Sequence, residues 1–148
     1  MNLPLSIFIM LIGSFIIQYY LTSFIIANKI SDIENGLGKI YLTLIISILM
    51  SFVFTIIYDI AERIISIKYY LFFIAIFFII LILYRNQVGI NEKDYLKGMI
   101  EYRSAELLIS SQYLRKAKDQ DIKKYAKKII KNNNKEIIEI KEIINELS

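Results

Sequence analysis

Apolar residues run unbroken by charge from Leu3 to Ala27, from Ile40 to Tyr58 and from Tyr69 to Tyr84. About 20 apolar residues cross the hydrocarbon core of a bilayer as a helix. Each run therefore predicts a membrane span, at about residues 3–27, 40–58 and 67–84, the last one extended to Ile67. Tyr41, Tyr58, Tyr69, Tyr70 and Tyr84 fall near span ends, where amphipathic rings settle at the headgroups. A cleaved signal peptide fits the first run poorly. No Lys or Arg precedes it, it is too long, and no small-residue cleavage pattern follows. A polar connection from Asn28 to Lys39 separates the first two spans, with Asn35-Gly36-Leu37-Gly38 as its turn.

Beyond Arg85 the periodicity changes. After a linker over 86–92, residues 93–148 predict two amphipathic helices. Leu96, Ile100, Leu107, Ser110, Leu114 and Ala117 form a near-heptad stripe on the first. Ala126, Ile130, Asn133, Ile137, Ile140, Ile144 and Leu147 repeat at four and three on the second, a regular heptad seam. Asp119 suits the N-cap between them. The expected fold is all-α: a membrane region (1–85), then an antiparallel helical hairpin that has to bury its stripes against a second hairpin or another partner.

Small polar residues interrupt the spans with a helical rhythm. Thr43, Ser47, Ser51 and Thr55 lie four residues apart in the second span, and Asp59 and Arg63 continue the row. Such a face lets another helix approach closely. Ser6, Ser14, Gln18 and Thr22 offer a looser counterpart on the first span, so the two faces are expected to meet. A transport path usually needs ionisable residues or broken helices at mid-membrane; Gln18 alone is strongly polar at that depth.

Charge sets the orientation. The 29–39 connection and the juxtamembrane tail carry six basic residues (Lys29, Lys39, Arg85, Lys93, Lys97, Arg103), against Arg63 and Lys68 on the other side. The more basic side stays inside. The N-terminus is therefore expected outside, with the hairpin on the cytoplasmic or particle-interior face. The net charge of +4 resides beyond residue 92. Arg115 to Lys135 holds nine basic and two acidic residues, and Glu136 to Ser148 holds four acidic and one basic. Lys116, Lys123, Lys124, Lys127, Lys128 and Lys131 would suit anionic lipid or an acidic partner. Specific nucleic-acid binding has no motif behind it.

The tail reads DYLKGMIEYRSAELLISSQYL, then KDQDIKKYAKKIIKNNNKEIIEIKEII. It resembles the family catalogued as domain of unknown function 305, some of whose bacterial members also carry three N-terminal spans. The likeness rests on Asp94, Tyr95, Lys97, Met99, Ile100 and Ser104 in the first block, and on Asp119, Ile122, Ala126, Ile129, Ile130, Glu136 and Ile137 in the second. The resemblance implies half of a ferritin-like bundle, and metal handling through a pair of histidines. Here those histidines fall on Tyr102 and Arg103, a small residue on Glu106, and a glutamine on Asn133. The chain has no His and no Cys, and an arginine does not ligate a cation. No metal and no cofactor are therefore expected. Tyr102, Arg103, Glu106 and Asn133 are expected instead as a polar cluster at the altered site.

No catalytic constellation emerges. Glu101 with Glu106, and Asp119 with Asp121, read first as helix-surface or capping carboxylates. The reading is a non-enzymatic integral membrane protein with a structural or scaffolding role. It would assemble as a homo-oligomer, or with a membrane-protein partner, through its spans and its hairpin. A metal-stress protein of the family type and a small transporter or channel subunit are the alternatives.

Overall fold

The computed structural model describes residues 2–147; Met1 and Ser148, the outer limits of the expected membrane region and hairpin, lie outside the described residues. The described chain is helical, with no strand. Helix α1 spans Leu3–Ile26, with a π-helical stretch at Ile17–Thr22. Helices α2 (Leu37–Glu62), α3 (Ile67–Arg85), α4 (Glu92–Lys116) and α5 (Gln120–Glu146) follow. Helices α1, α2 and α3 are each long and apolar enough to cross a membrane.

The local chemistry explains the boundaries. Asn2 caps α1 by accepting from the Leu5 amide, with Pro4 in the first turn where no N–H is needed. Asn91 caps α4 through the Asp94 amide, and Asp119 caps α5 through the amides of Asp121 and Ile122. Helix α2 is longer than its uncharged run, because Leu37 to Lys39 and Asp59 to Glu62 continue the helix. The expected turn shrinks accordingly: Leu37 and Gly38 are helical, and only Asn35 and Gly36 remain outside.

The chain divides into two compact units. The first comprises Met1–Thr22 and Leu37–Gly89. Here α2 is the central helix, packing on both α1 and α3. A third of its most apolar window is buried, against 6% in each of the other two. Ile7, Ile48 and Phe73, one from each helix, form the core, with Phe52 edge-on to Phe73 and to Tyr70. After α3 the chain turns through Gln87 and Gly89 at positive φ, and Val88 accepts a hydrogen bond from the Tyr41 hydroxyl at 2.9 Å.

The second unit comprises Ser23–Gly36 and Ile90–Ser148. It corrects the expected domain boundary. The connection between α1 and α2 does not group with the three apolar helices; it is part of the unit that contains the hairpin. Specific contacts with α4 and α5, rather than chain proximity, put it there. Helices α4 and α5 pair along the predicted seam, with Ile100, Leu107 and Ile137 at its centre and Ile130, Ile140 and Ile144 around them.

Candidate functional site

The connection carries a short 3₁₀ turn, Ile30–Asp32, and Asp32 is only 3% exposed. An isolated buried carboxylate is strongly disfavoured, and this one is fully supplied with donors. Lys141 Nζ on α5 lies 2.6 Å from Asp32 Oδ1 and donates to the Ser31 carbonyl at 3.0 Å. Ser104 Oγ on α4 donates to Asp32 Oδ2 at 2.9 Å, and accepts the Asn28 amide at 2.9 Å. Burial alone raises the pKa of Asp32. The hydrogen bonds from Lys141 and Ser104, with the charges of Lys141 and Lys29, outweigh it and hold the carboxyl below its ordinary value.

The clasp continues along α4. The Glu34 amide donates to Glu101 Oε1 at 2.9 Å, and Lys97 Nζ donates to the Asn35 carbonyl at 3.2 Å. Gly36 sits so close to the Asp94 carbonyl that an added Cβ would approach it to 3.2 Å. Residues 94, 97, 101 and 104 share one helix face, and the connection runs along it in the reverse direction. Sequence reading missed this. It took Glu101 for a surface carboxylate and assigned no role to Asp32, Ser104 or Lys141. The only available signal was the acidic Asp32 in an otherwise turn-like stretch.

Arg103, Glu106 and Asn133, three of the four residues expected as a polar cluster, lie in contact on a different side of the hairpin. Asn133, almost wholly buried in the seam, donates from Nδ2 to Glu106 Oε2 at 2.7 Å and to the Arg103 carbonyl at 3.4 Å. Arg103 Nη1 lies 3.2 Å from the same Glu106 oxygen. Its Nε stands 2.7 Å from Glu136 Oε2, as an ion-pair contact rather than an aligned hydrogen bond. The three charged members are partly exposed, while Tyr102 stands mostly in the open. Among the described residues, no group of three or more Asp, Glu, His or Cys side chains is placed to hold a metal ion.

In the membrane-type unit, Ser47, Ser51 and Thr55 are fully buried and Thr43 nearly so. Each hydroxyl donates to the carbonyl four residues earlier, at 2.8–2.9 Å. The face is therefore satisfied within its own helix and presents small, spent side chains to its neighbours. Ser6 and Ser14 of α1 are also buried, whereas Gln18 is half-buried and Thr22 is exposed and donates to Gln18. Asp59 accepts from the Ser66 amide, from Ser66 Oγ at 2.8 Å and from the Tyr70 hydroxyl at 2.6 Å, which ties the turn between α2 and α3. Arg63, at positive φ in that turn, is exposed and does not extend the buried row. Lys116, Lys124, Lys127, Lys128 and Lys131 are exposed and Lys123 is half-buried.

These features define a class: an all-α protein with three helices able to cross a membrane, and a helical hairpin clasped to the connection between the first two. No family model matches the chain, and no solved structure matches it. The chain is 32% identical, over 142 residues, to the uncharacterized protein L153 of Acanthamoeba polyphaga mimivirus, an alignment covering 95% of this chain and 91% of that protein. It belongs to the same family as that mimivirus protein.

Proposed function

We propose that the protein is a non-enzymatic, three-span membrane scaffold, whose clasped hairpin is an assembly module on the inner face of the membrane. The carrying observation is the Asp32–Ser104–Lys141 clasp. It joins the connection after the first span to the segment after the third. Those two segments share a side of the bilayer if α2 and α3 both cross between them, so the clasp supports crossing by both of these helices. The six-to-two excess of basic residues then favours an inner location for both. Chemically the clasp holds rather than reacts: its carboxylate is closed to solvent, and the Ser104 proton is committed to Asp32. The basic stretch from Arg115 to Lys135 adds an exposed surface suited to acidic headgroups or an acidic partner.

Because the chain lacks cysteine, single cysteines map its topology directly. Lys29→Cys and Lys128→Cys should react with a membrane-impermeant maleimide from the same side, and Ile65→Cys from the opposite side. Labelling of all three from one side would overturn the reading.

A further inference from the structure

Helix α4 has three faces in use or on offer. One carries Ile100 and Leu107 into the seam with α5. A second, through Lys97, Glu101 and Ser104, meets the connection. The third carries Tyr95, Gly98, Tyr102, Ala105, Ile109 and Gln112, at a spacing of three, four, three, four and three. That is a second heptad seam on one helix. Its large members are open, with Tyr95 and Tyr102 each 56% exposed and Ile109 68%. The space above its small members is also open, since a Cβ added at Gly98 would meet nothing within 4 Å.

The geometry points to a second copy of this chain on that face, its α4 running antiparallel about a two-fold axis between Tyr102 and Ala105. Two features select this occupant. The first is shape. When Tyr102 of one copy sits over Ala105 of the other, the antiparallel register sets Ile109 over Gly98 and Tyr95 over Gln112, so each large side chain meets a smaller or unbranched one. The pairing is self-complementary, as a two-fold interface must be, and small residues at one seam position let helices approach closely. The second is charge. The first turn of α4 is net acidic, with Glu92 and Asp94 around Lys93, and its last turn is basic, with Arg115 and Lys116. Antiparallel pairing brings each acidic end beside a basic end, and parallel pairing sets like charges together. That face lies across α4 from its seam with α5, so two hairpins joined in this way set four helices in a row, with the paired α4 helices in the middle. This inference rests on the assembly reading above and adds the face, polarity and register.

Cysteine cross-linking of the full chain in membranes tests it. In the proposed register, the two copies of residue 105 are offset by three residues, about 4.5 Å along the axis, across a helix separation of roughly 8–10 Å. Ala105→Cys should therefore give a dimer with a short bismaleimide. The two copies of residue 95 are offset by seventeen residues, about 25 Å. Tyr95→Cys alone should give at least several-fold less dimer, while a mixture of Tyr95→Cys and Gln112→Cys chains should link. A Cβ at Gly98 has open space in the single chain, so Gly98→Leu should abolish the Ala105→Cys link without lowering the hairpin's thermal stability. Equal linking of Tyr95→Cys and Ala105→Cys would mean a parallel pair and would overturn the proposal. Absence of the Ala105→Cys link in a chain that native mass measurement in nanodiscs shows to be oligomeric would overturn it too, while leaving the assembly reading standing. A monomer in nanodiscs would remove both.

Discussion

Asp32 and Lys141 are separated by 109 residues of chain and by 2.6 Å in space. The pair is the point at which three segments meet: the connection, α4 through Ser104, and α5. Desolvating two charges offsets most of what their attraction contributes, but removing one partner leaves the other stranded, at a cost of about 3–5 kcal/mol. Lys141→Met should therefore destabilise the hairpin unit by an amount near that range, read by denaturant unfolding in detergent. Adding Asp32→Asn should restore much of the loss, because no buried charge then remains. A double variant as unstable as the single one would disprove the coupling.

The same carboxylate sets an acid limit. In the unfolded chain Asp32 titrates at its ordinary value, 3.8, and in the folded chain at a lower one. The folded state binds fewer protons between the two values, so stability rises with pH there. The contribution is complete above 3.8 and fades as pH falls from that value through the folded one. Denaturant midpoints measured from neutral pH downwards should decline in that window, and Asp32→Asn should flatten the decline.

The Arg103 cluster should matter less than its number of charges suggests. Its ion pairs are partly exposed, and such pairs contribute about 0–1 kcal/mol. Arg103→Met should shift hairpin stability by less than about 1 kcal/mol. Asn133→Ala should cost more, about 1–3 kcal/mol, by opening the buried seam and removing the donor to Glu106. Thermal unfolding of the two variants would show whether the order holds.

The serine face of α2 separates volume from hydrogen bonding. Ser51 is fully buried, and its hydroxyl serves only a carbonyl of its own helix. Ser51→Ala should be nearly neutral, whereas Ser51→Leu overfills a packed contact at a cost of about 1–3 kcal/mol or more. Resistance to a protease in mild detergent should be kept by the first variant and lost in the second.

The helices themselves were legible because each has a local signature: uncharged runs for α1 to α3, heptad spacing and an Asp cap for α4 and α5. The Arg103–Glu106–Asn133 contacts could also be anticipated, since two of the three share a helix turn and the third sits at a seam position. The clasp left no such trace. The Asn28–Ser104 and Asp32–Lys141 contacts span 76 and 109 residues, and nothing in the composition of residues 28–36 says which distant helix will supply their partners. The ends of α2 were misjudged for a related reason. Charge at Lys39 and Asp59 marks the end of the apolar run, but helical hydrogen bonding continues past it, and at Asp59 the charge is absorbed by Ser66 and Tyr70.

The clasp also has a consequence in time. During synthesis Asp32 leaves the ribosome 109 residues before Lys141, a delay of roughly 5–20 s at ~5–20 residues per second. Helices α2 and α3 are made within that interval, Ser104 follows Asp32 by 72 residues, and the carboxylate lacks its lysine until the end. The unit that holds the hairpin therefore closes last. A chain cut between Ser104 and Lys141 would carry all three apolar helices and an open latch.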